Sequence, residues 1–293
     1  MKNVLIAGAT GRLGSLIVHN LLQNKEANVF AIVRDAKSEK ALALEAKGVQ
    51  LVIADLSSKK DVLQATKNID IVISALNGGP DVILEGQLNL LEASVKNGVS
   101  RFVPSDYSVD YFKLNYGDNV NLDMRKKTFE AIEKSGIGHT IFLNGAFMEI
   151  FTSPFFNVID FENNTVAFWG NGNETFDITT IPDTAKYIAS AVLDNSTLNK
   201  VIHIAGDETT MNQITQTLSA QKGKTFTQIN NGTNDDLKNL IETIKSANPG
   251  NVMAYVFHQY KRPMFNGVGK LNNPIRLHYD GTAFTGFKTF ISK

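Results

Sequence analysis

The stretch Gly8-Ala9-Thr10-Gly11-Arg12-Leu13-Gly14 decides which fold the sequence predicts. It lies between a short apolar run, Val4 to Ala7, and an amphipathic segment, Leu13 to Leu22, so the order is strand, glycine-rich turn and helix. In this context a GxxGxxG spacing is typical of a dinucleotide-binding loop. The first glycine allows the tight turn, the second lets the backbone approach a pyrophosphate, and the third lets the helix pack closely on the strand.

The start of the helix that follows this loop also favours an anion. A helix N-terminus presents N–H groups without intrahelical partners and a partial positive charge. We therefore expect a cofactor pyrophosphate to be bound by Gly8, Thr10, Gly11, Arg12, Leu13 and Gly14. The alternative is a glycine-rich turn that binds nothing.

The first half of the chain repeats the alternation of apolar runs and helix-length segments. The further runs are Val29 to Val33, Leu51 to Ile53, Ile69 to Ala75 and Phe102 to Pro104, and the segments after them are Ser38 to Ala46, Asp61 to Thr66, Val82 to Asn97 and Leu122 to Ser135. Parallel strands that helices cover on both faces have continuous Val/Ile/Leu runs of this kind. The sequence therefore predicts an α/β fold with a doubly wound parallel sheet, the Rossmann arrangement.

Two domains of unequal size are expected. We predict a dinucleotide-binding domain over residues 1–150, extended by a strand at His139 to Leu143 and rejoined by a strand near 201–204. After Phe151 the sequence becomes rich in Phe, Asn and Gly, which predicts a smaller substrate-binding domain over residues 151–293. The aromatic cluster from Phe151 to Trp169 suits either the wall of a cleft for an apolar or phenolic substrate or the core of that domain.

Composition excludes several kinds of partner and site. Lys+Arg and Asp+Glu both number 29, so net charge provides no attraction to nucleic acid or to an anionic membrane, and no apolar run approaches the ~18–20 residues of a membrane span. The chain has no Cys, which excludes thiolate chemistry and fits a reducing compartment, so we expect a cytoplasmic protein. The 5 histidines show no metal-binding spacing. We therefore expect a small-molecule substrate and no metal.

Arg34 bears on which dinucleotide is bound. An NAD site normally has Asp or Glu about 20 residues past the fingerprint, where it accepts hydrogen bonds from the ribose hydroxyls. Arg34 stands at that place here. A guanidinium cannot accept those bonds but can bind a 2′-phosphate, which favours NADP(H). Asp35 is the main objection, because its carboxylate could face a ribose, and Arg34 as a solvated loop charge is the alternative.

Ligands of open parallel sheets lie outside the carboxyl ends of the strands. We therefore expect the residues that follow strands three to six to border the adenine, ribose and nicotinamide. Asp55 and Leu56 are expected near the adenine, Ser74, Ala75, Leu76, Pro104 and Ser105 near the ribose and nicotinamide, and Phe147 against the nicotinamide ring. For Phe147, packing in the core is the alternative.

The usual catalytic pair of short-chain dehydrogenases is missing. That pair is Tyr-x-x-x-Lys, in which the lysine ammonium lowers the pKa of the tyrosine for proton transfer. No tyrosine of this chain has a lysine four residues later. The ordinary mechanism of these enzymes is therefore not expected.

The remaining motifs resemble one branch of that superfamily. They are Gly8 to Gly14, Ile32 to Arg34, Val72 to Leu76, Arg101 to Tyr107, Ser135 to Ile137, Gly145 to Met148 and Gly206 to Asn212. Together they resemble the NmrA-like and isoflavone-reductase-like atypical short-chain dehydrogenases over about residues 1–220. The most specific element, Arg101 to Tyr107, is similar to the RFxPSEF segment of plant phenolic reductases, with Asp106 and Tyr107 in place of Glu and Phe.

The resemblance implies a lysine on the next helix that reaches the nicotinamide and assists reduction. The matching position holds Arg125, which is a departure from the family. At about 100° per residue, Arg125 lies in the middle of the apolar stripe of this helix, whereas Lys127 points away and Lys126 flanks it. Arg125 is therefore expected to face the cleft. Its stem packing on the stripe, with the charged head in water, is the alternative.

An arginine holds an anionic or carbonyl oxygen but does not donate its proton at neutral pH. The proton would then come from Tyr107, Tyr111 or water. We therefore expect an NADP(H)-dependent reductase that transfers hydride to a small apolar carbonyl, quinone or conjugated phenolic substrate, with Arg125 and Tyr107 as catalytic residues. The alternative, which the resemblance implies because some relatives are redox sensors, is a non-catalytic NAD(P)-sensing regulatory protein that binds a protein partner.

Overall fold

The computed structural model describes residues 1–292, which form two compact units. The first unit comprises Met1–Asp106, Met124–Phe142 and Thr184–Ile202, and the second comprises Tyr107–Asp123, Leu143–Asp183 and the described chain from His203 onward. The division into domains at residue 150 stays a prediction.

Strands and helices alternate strictly in the first hundred residues. The strands are β1 (Lys2–Ala7), β2 (Ala27–Val33), β3 (Gln50–Ile53), β4 (Ile71–Ser74), β5 (Arg101–Val103), β6 (Thr140–Leu143), β7 (Ala146–Phe147), β8 (Ile159–Asp160), β9 (Thr165–Phe168), β10 (Phe176–Thr179), β11 (Lys200–His203), β12 (Asp207–Thr209) and β13 (Thr227–Asn230). The α-helices are α1 (Arg12–Leu22), α2 (Glu39–Glu45), α3 (Lys59–Ala65), α4 (Gln87–Lys96), α5 (Val120–Ser135), α6 (Met148–Phe151), α7 (Ile181–Ala191), α8 (Met211–Lys222), α9 (Asn234–Ala247), α10 (Val256–Phe265) and α11 (Phe287–Ile291).

The first unit is built on a parallel sheet with the strand order β3-β2-β1-β4-β5. Val4 of the central strand pairs with Val29 of β2 and with Ile71 of β4, and all three side chains are buried. The chain adds β2 and β3 on one side of β1 and then β4 and β5 on the other. Because such crossovers are right-handed, the helices of the two halves cover opposite faces. The predicted doubly wound α/β fold is confirmed, and its topological switch point lies between β1 and β4.

β6 and β11 pair with each other as a two-stranded sheet. A single parallel bridge, between Phe102 and His139, links β5 to the segment that leads into β6. The backbone N–H of Phe102 also donates to the carbonyl of Gly138 at 2.8 Å. The predicted strand at His139 to Leu143 therefore forms, but its ladder partner is β11.

Arg101, the first residue of the RFxPSEF-like segment, is buried and holds the chain that follows α7. Its guanidinium donates to the carbonyl oxygens of Ala191, Val192 and Asp194 at 2.7–3.0 Å and to the hydroxyl of Thr197 at 3.0 Å. A cation at a helix C-terminus stabilises the carbonyls that have no intrahelical partner. Arg101 is therefore a structural residue of the first unit.

The second unit contains two small sheets, ordered β12-β10-β7 and β13-β9-β8. Much of the aromatic cluster from Phe151 to Trp169 packs in its interior. The ring of Phe151 stacks on Phe176 at 5.9 Å and meets Phe156 edge-on at 5.5 Å, whereas Phe155 and Phe161 are exposed. The buried members of the cluster thus form part of a core.

Residues 1–292 contain neither a helix that could span a membrane nor a side-chain cluster that could bind a metal ion. None of their helices combines the length and the apolar character that a membrane crossing requires. No group of three or more His, Asp or Glu side chains within this range has a metal-binding arrangement.

Candidate cofactor site

The glycine loop between β1 and α1 is closed by backbone contacts that admit no side chain. Gly8 has a φ of +85°, and a Cβ on it would lie 2.5 Å from the carbonyl oxygen of Ala75 at the end of β4. A Cβ on Gly14 would lie 2.2 Å from the carbonyl oxygen of Gly8. The N–H of Gly11 donates to that same carbonyl at 2.9 Å and closes the turn. Two of the three glycines are therefore required by sterics.

The N-terminus of α1 is open to an anion. Its N-cap is Gly11, so no side chain caps the helix, and its first turn carries no acidic residue. Arg12, the first helical residue, is exposed, while Thr10 and Leu13 are half-buried. The N–H groups of the first turn and the positive end of the helix dipole are thus uncompensated by protein carboxylates. These residues fit a pyrophosphate.

Arg34 is exposed directly after β2, and the structure brings its charge near Asp55, which follows β3. Hydrogen bonds from Ser57 are the main cause of the lowered pKa of Asp55, and the positive charge of Arg34 contributes to it. The neighbouring Asp35 is engaged in its own turn, where one carboxylate oxygen accepts the N–H of Lys37 at 2.8 Å. Arg34 is thus the cation at the carboxyl end of β2.

Ser105 joins the segments that follow β4 and β5. Its N–H donates to Oε1 of Gln87 at 2.7 Å, and its hydroxyl donates to the carbonyl of Leu76 at 2.7 Å. Its own carbonyl accepts a hydrogen bond from Nε of Arg125 at 2.9 Å. Every polar group of Ser105 is therefore used within the first unit, and Ser105 fixes the positions of its neighbours.

Arg125 lies on α5 and is half-buried, whereas Lys127 is exposed. Its bond to the Ser105 carbonyl directs the guanidinium to the carboxyl end of β5. This is the end of the sheet at which ligands of open parallel sheets bind. That Arg125 faces the cleft and that it has a catalytic role both stay predictions.

The other predicted site residues occupy both units. In the first unit, Ser74, Leu76 and Pro104 are buried, Ala75 and Leu56 are half-buried, and Asp55 is exposed. Tyr107 and Phe147 belong to the second unit, where Tyr107 is buried and Phe147 ends β7 and pairs with Thr179. The cofactor contacts of all these residues stay predictions.

The model of the NmrA-like family matches residues 1–268 of the chain. The chain belongs to the NmrA-like family.

Curated and solved relatives of this NmrA-like chain are reductases by name. Pinoresinol reductase 1 of Arabidopsis thaliana is 27% identical over 162 residues, which cover 53% of this chain and 51% of that protein. The chain thus matches about half the length of that relative.

The structure described as AtPrR2 with NADP+ and (+)pinoresinol has a TM-score of 0.81 at 21% identity and covers 99% of this chain and 98% of that one. The NADPH-dependent quinone oxidoreductase QOR2 of Escherichia coli, solved with NADPH, has a TM-score of 0.78 at 21% identity. The match covers 99% of this chain and 98% of that one. At these identities the solved structures show the fold.

Gln87 is a residue of this NmrA-like site that the sequence did not reveal. It is fully buried at the start of α4, directly after a π-helical turn at Asp81–Gly86. Its amide nitrogen donates to the carbonyl of Ile83 at 2.7 Å, and its amide oxygen accepts from Ser105. The only sequence signal is a polar residue on the buried face of a helix, which does not identify the partner.

Proposed function

We propose that the protein is an NADP(H)-dependent reductase that transfers hydride between the nicotinamide and a small apolar substrate. The observation that carries the proposal is the uncapped N-terminus of α1 behind a loop whose Gly8 and Gly14 leave no room for side chains. This is the arrangement that binds a dinucleotide pyrophosphate. Membership of the NmrA-like family supports the same cofactor class.

Arg34 supports the choice of NADP(H) over NAD(H). Its guanidinium stands after β2, where a 2′-phosphate would lie, and the adjacent Asp35 already accepts a hydrogen bond within its own turn. Two structural relatives were solved with NADP+ or NADPH, which is consistent with this choice. Asp55 and Leu56 would then border the adenine.

The substrate class follows from the relatives and the aromatic character of the second unit. A pinoresinol reductase and a quinone oxidoreductase are among the similar proteins. We therefore place the substrate among small carbonyls, quinones and conjugated phenolic compounds. The absence of Cys supports a location in the reducing environment of the cytoplasm.

The chain's own residues would position and polarise the substrate. When bound, the nicotinamide supplies the hydride. Arg125, directed to the end of β5 by its bond to Ser105, would hold the developing negative charge on the substrate oxygen. Tyr107 or water would supply the proton, because a guanidinium does not release one at neutral pH.

One observation favours a second candidate, a non-catalytic NAD(P)-sensing regulatory protein with a protein partner. The bond from Nε of Arg125 to the Ser105 carbonyl gives this arginine a structural role that requires no chemistry. The test of both candidates is NADPH oxidation with a panel of quinones, enones and phenolic propenyl compounds. Turnover with any of them supports the reductase. Tight NADPH binding without turnover supports the regulatory protein.

A further inference from the structure

Lys261 is a buried cation without an acidic partner. It lies on α10 in the second unit and is 3% exposed. Its ammonium stands over two aromatic rings, 5.3 Å from the centroid of Phe156 and 5.4 Å from that of Trp169. Among residues 1–292, no carboxylate lies within 4.0 Å of the ammonium and no group hydrogen-bonds it. Burial lowers the pKa of Lys261 to about 8.

A second basic group lies beside this lysine. His258 precedes Lys261 by three residues on the same helix, and its ring meets Trp169 edge-on at 5.7 Å. Nδ1 of His258 is buried and has no hydrogen-bond partner. Burial lowers the pKa of His258, and the charge of Lys261 lowers it further. The ammonium of Lys261 and the ring of His258 therefore both lie against Trp169, and among residues 1–292 neither has an acidic partner within 4.0 Å.

The physical chemistry of such a cluster calls for an anion. The faces of Phe156 and Trp169 attract the ammonium but do not replace the hydration that burial removes. A carboxylate would pair with Lys261 and accept a hydrogen bond from His258. Between about pH 5 and pH 8 a carboxylate is ionised while Lys261 is protonated, whereas a phenol is neutral in that range.

We propose that Lys261 and His258, with the rings of Phe156 and Trp169, form a binding site for the carboxylate of a small aromatic acid. The rings supply the flat apolar walls that an aryl group requires. The site lies wholly in the second unit. It does not depend on the cofactor or on reduction, so it goes beyond the proposed function.

Trp169 is the only tryptophan of the chain, so tryptophan fluorescence reports on this site directly. The experiment is titration of the cofactor-free protein with benzoate and with its neutral counterpart benzamide at neutral pH. We expect saturable binding of benzoate with an affinity about tenfold or more above that of benzamide. In Lys261→Met, benzoate should bind no better than benzamide, and benzamide affinity should not change. Lys238→Met, on the exposed surface of α9, should change neither affinity.

The pH profile of the unmodified protein provides an independent measurement. Because Lys261 loses its charge as pH rises through about 8, benzoate affinity should fall above that pH while benzamide affinity stays constant. His258, whose ring meets Trp169, is neutral in this range because burial and the charge of Lys261 lower its pKa.

The same titrations contain the outcomes that would overturn the proposal. Equal affinities for benzoate and benzamide, or a benzoate preference that survives in Lys261→Met, would do so. If Lys261→Met does not fold, a benzoate affinity that stays constant up to about pH 9 would overturn it. Failure of NADPH binding or of turnover leaves this site unaffected, because the titration contains no cofactor.

Discussion

Replacing Arg34 by alanine tests the proposed preference for NADP(H) at its source. The side chain is exposed after β2, and a guanidinium bound to a 2′-phosphate makes charge-assisted hydrogen bonds worth about 1.5–3 kcal/mol. Because solvent screens an exposed charge, we expect the lower value, which is about a tenfold loss of NADPH affinity. NADH has no 2′-phosphate, so its affinity should change by less than about twofold.

The assay is a fluorescence titration of both reduced cofactors against the wild type, Arg34→Ala and the control Lys47→Ala. Lys47 is an exposed lysine beyond the end of α2, and its loss should affect neither cofactor. An equal loss for NADPH and NADH would show that Arg34 acts on a part of the cofactor that both share. No loss for either would identify Arg34 as a solvated loop charge. Both results would refute the reasoning.

Asp55→Asn sharpens the same test. The charge of Arg34 contributes to the lowered pKa of Asp55, after the hydrogen bonds from Ser57, so the two side chains interact electrostatically. Removing the carboxylate should leave the guanidinium more available to the 2′-phosphate and raise NADPH affinity a few-fold. In the Arg34→Ala background the same substitution should have no such effect, which a double-mutant cycle measures.

Substitutions at four further positions test other parts of the structure. In Gly14→Ala the new Cβ would lie 2.2 Å from a backbone carbonyl oxygen, so calorimetry should show NADPH affinity lowered about tenfold or more. In the control Gly250→Ala the new Cβ meets nothing within 4 Å, so NADPH affinity should not change. Arg125→Ala should lower turnover about 10²-fold in steady-state kinetics with cofactor affinity kept within a few-fold, and Arg125→Lys should keep or raise turnover. Arg101→Met removes a buried guanidinium with four acceptors and should cost on the order of 3 kcal/mol in urea unfolding. Burial opposes ionisation of Asp183, but hydrogen bonds from His278, Thr180 and Thr285 outweigh it and lower the pKa of Asp183 to about 2. Asp183→Asn should therefore be less stable than the wild type in thermal unfolding at neutral pH. This difference in stability should disappear as pH falls from about 4 to 2, where the wild-type carboxylate becomes protonated.

The parallel sheet could be predicted because its evidence is local. Each strand of the first unit is a short apolar run, and each intervening helix has its own periodicity, so neither depends on knowing its neighbours. The π-helical turn at Asp81–Gly86 could not be predicted in the same way. The sequence indicates a single helix-length segment from Val82 to Asn97, because one wider turn shifts the backbone hydrogen bonds but barely changes the apolar pattern.

In the candidate site, too, features that depend on local backbone could be predicted, whereas features that depend on distant partners could not. Gly8 and Gly14 could be predicted because their requirement comes from the backbone of one turn. The hydrogen bonds of Ser105 could not, since its partners Gln87 and Arg125 lie 18 and 20 residues away and none of the three residue types specifies the others. Arg125 is the intermediate case. Helical periodicity predicts its place in the apolar stripe of α5, but only tertiary structure shows that its Nε is bound to a carbonyl.

Lys261 shows why a buried charge is the hardest feature to predict from sequence. A lysine within a helix is ordinarily expected to extend its ammonium to water, and nothing in the sequence around Lys261 contradicts that expectation. Its burial arises from Phe156 and Trp169, which lie about a hundred residues earlier in the chain. A methionine would fill a similar volume on those rings without losing the hydration of a charge. The stability of the fold therefore gives no reason for the lysine, and a ligand anion that pairs with it does.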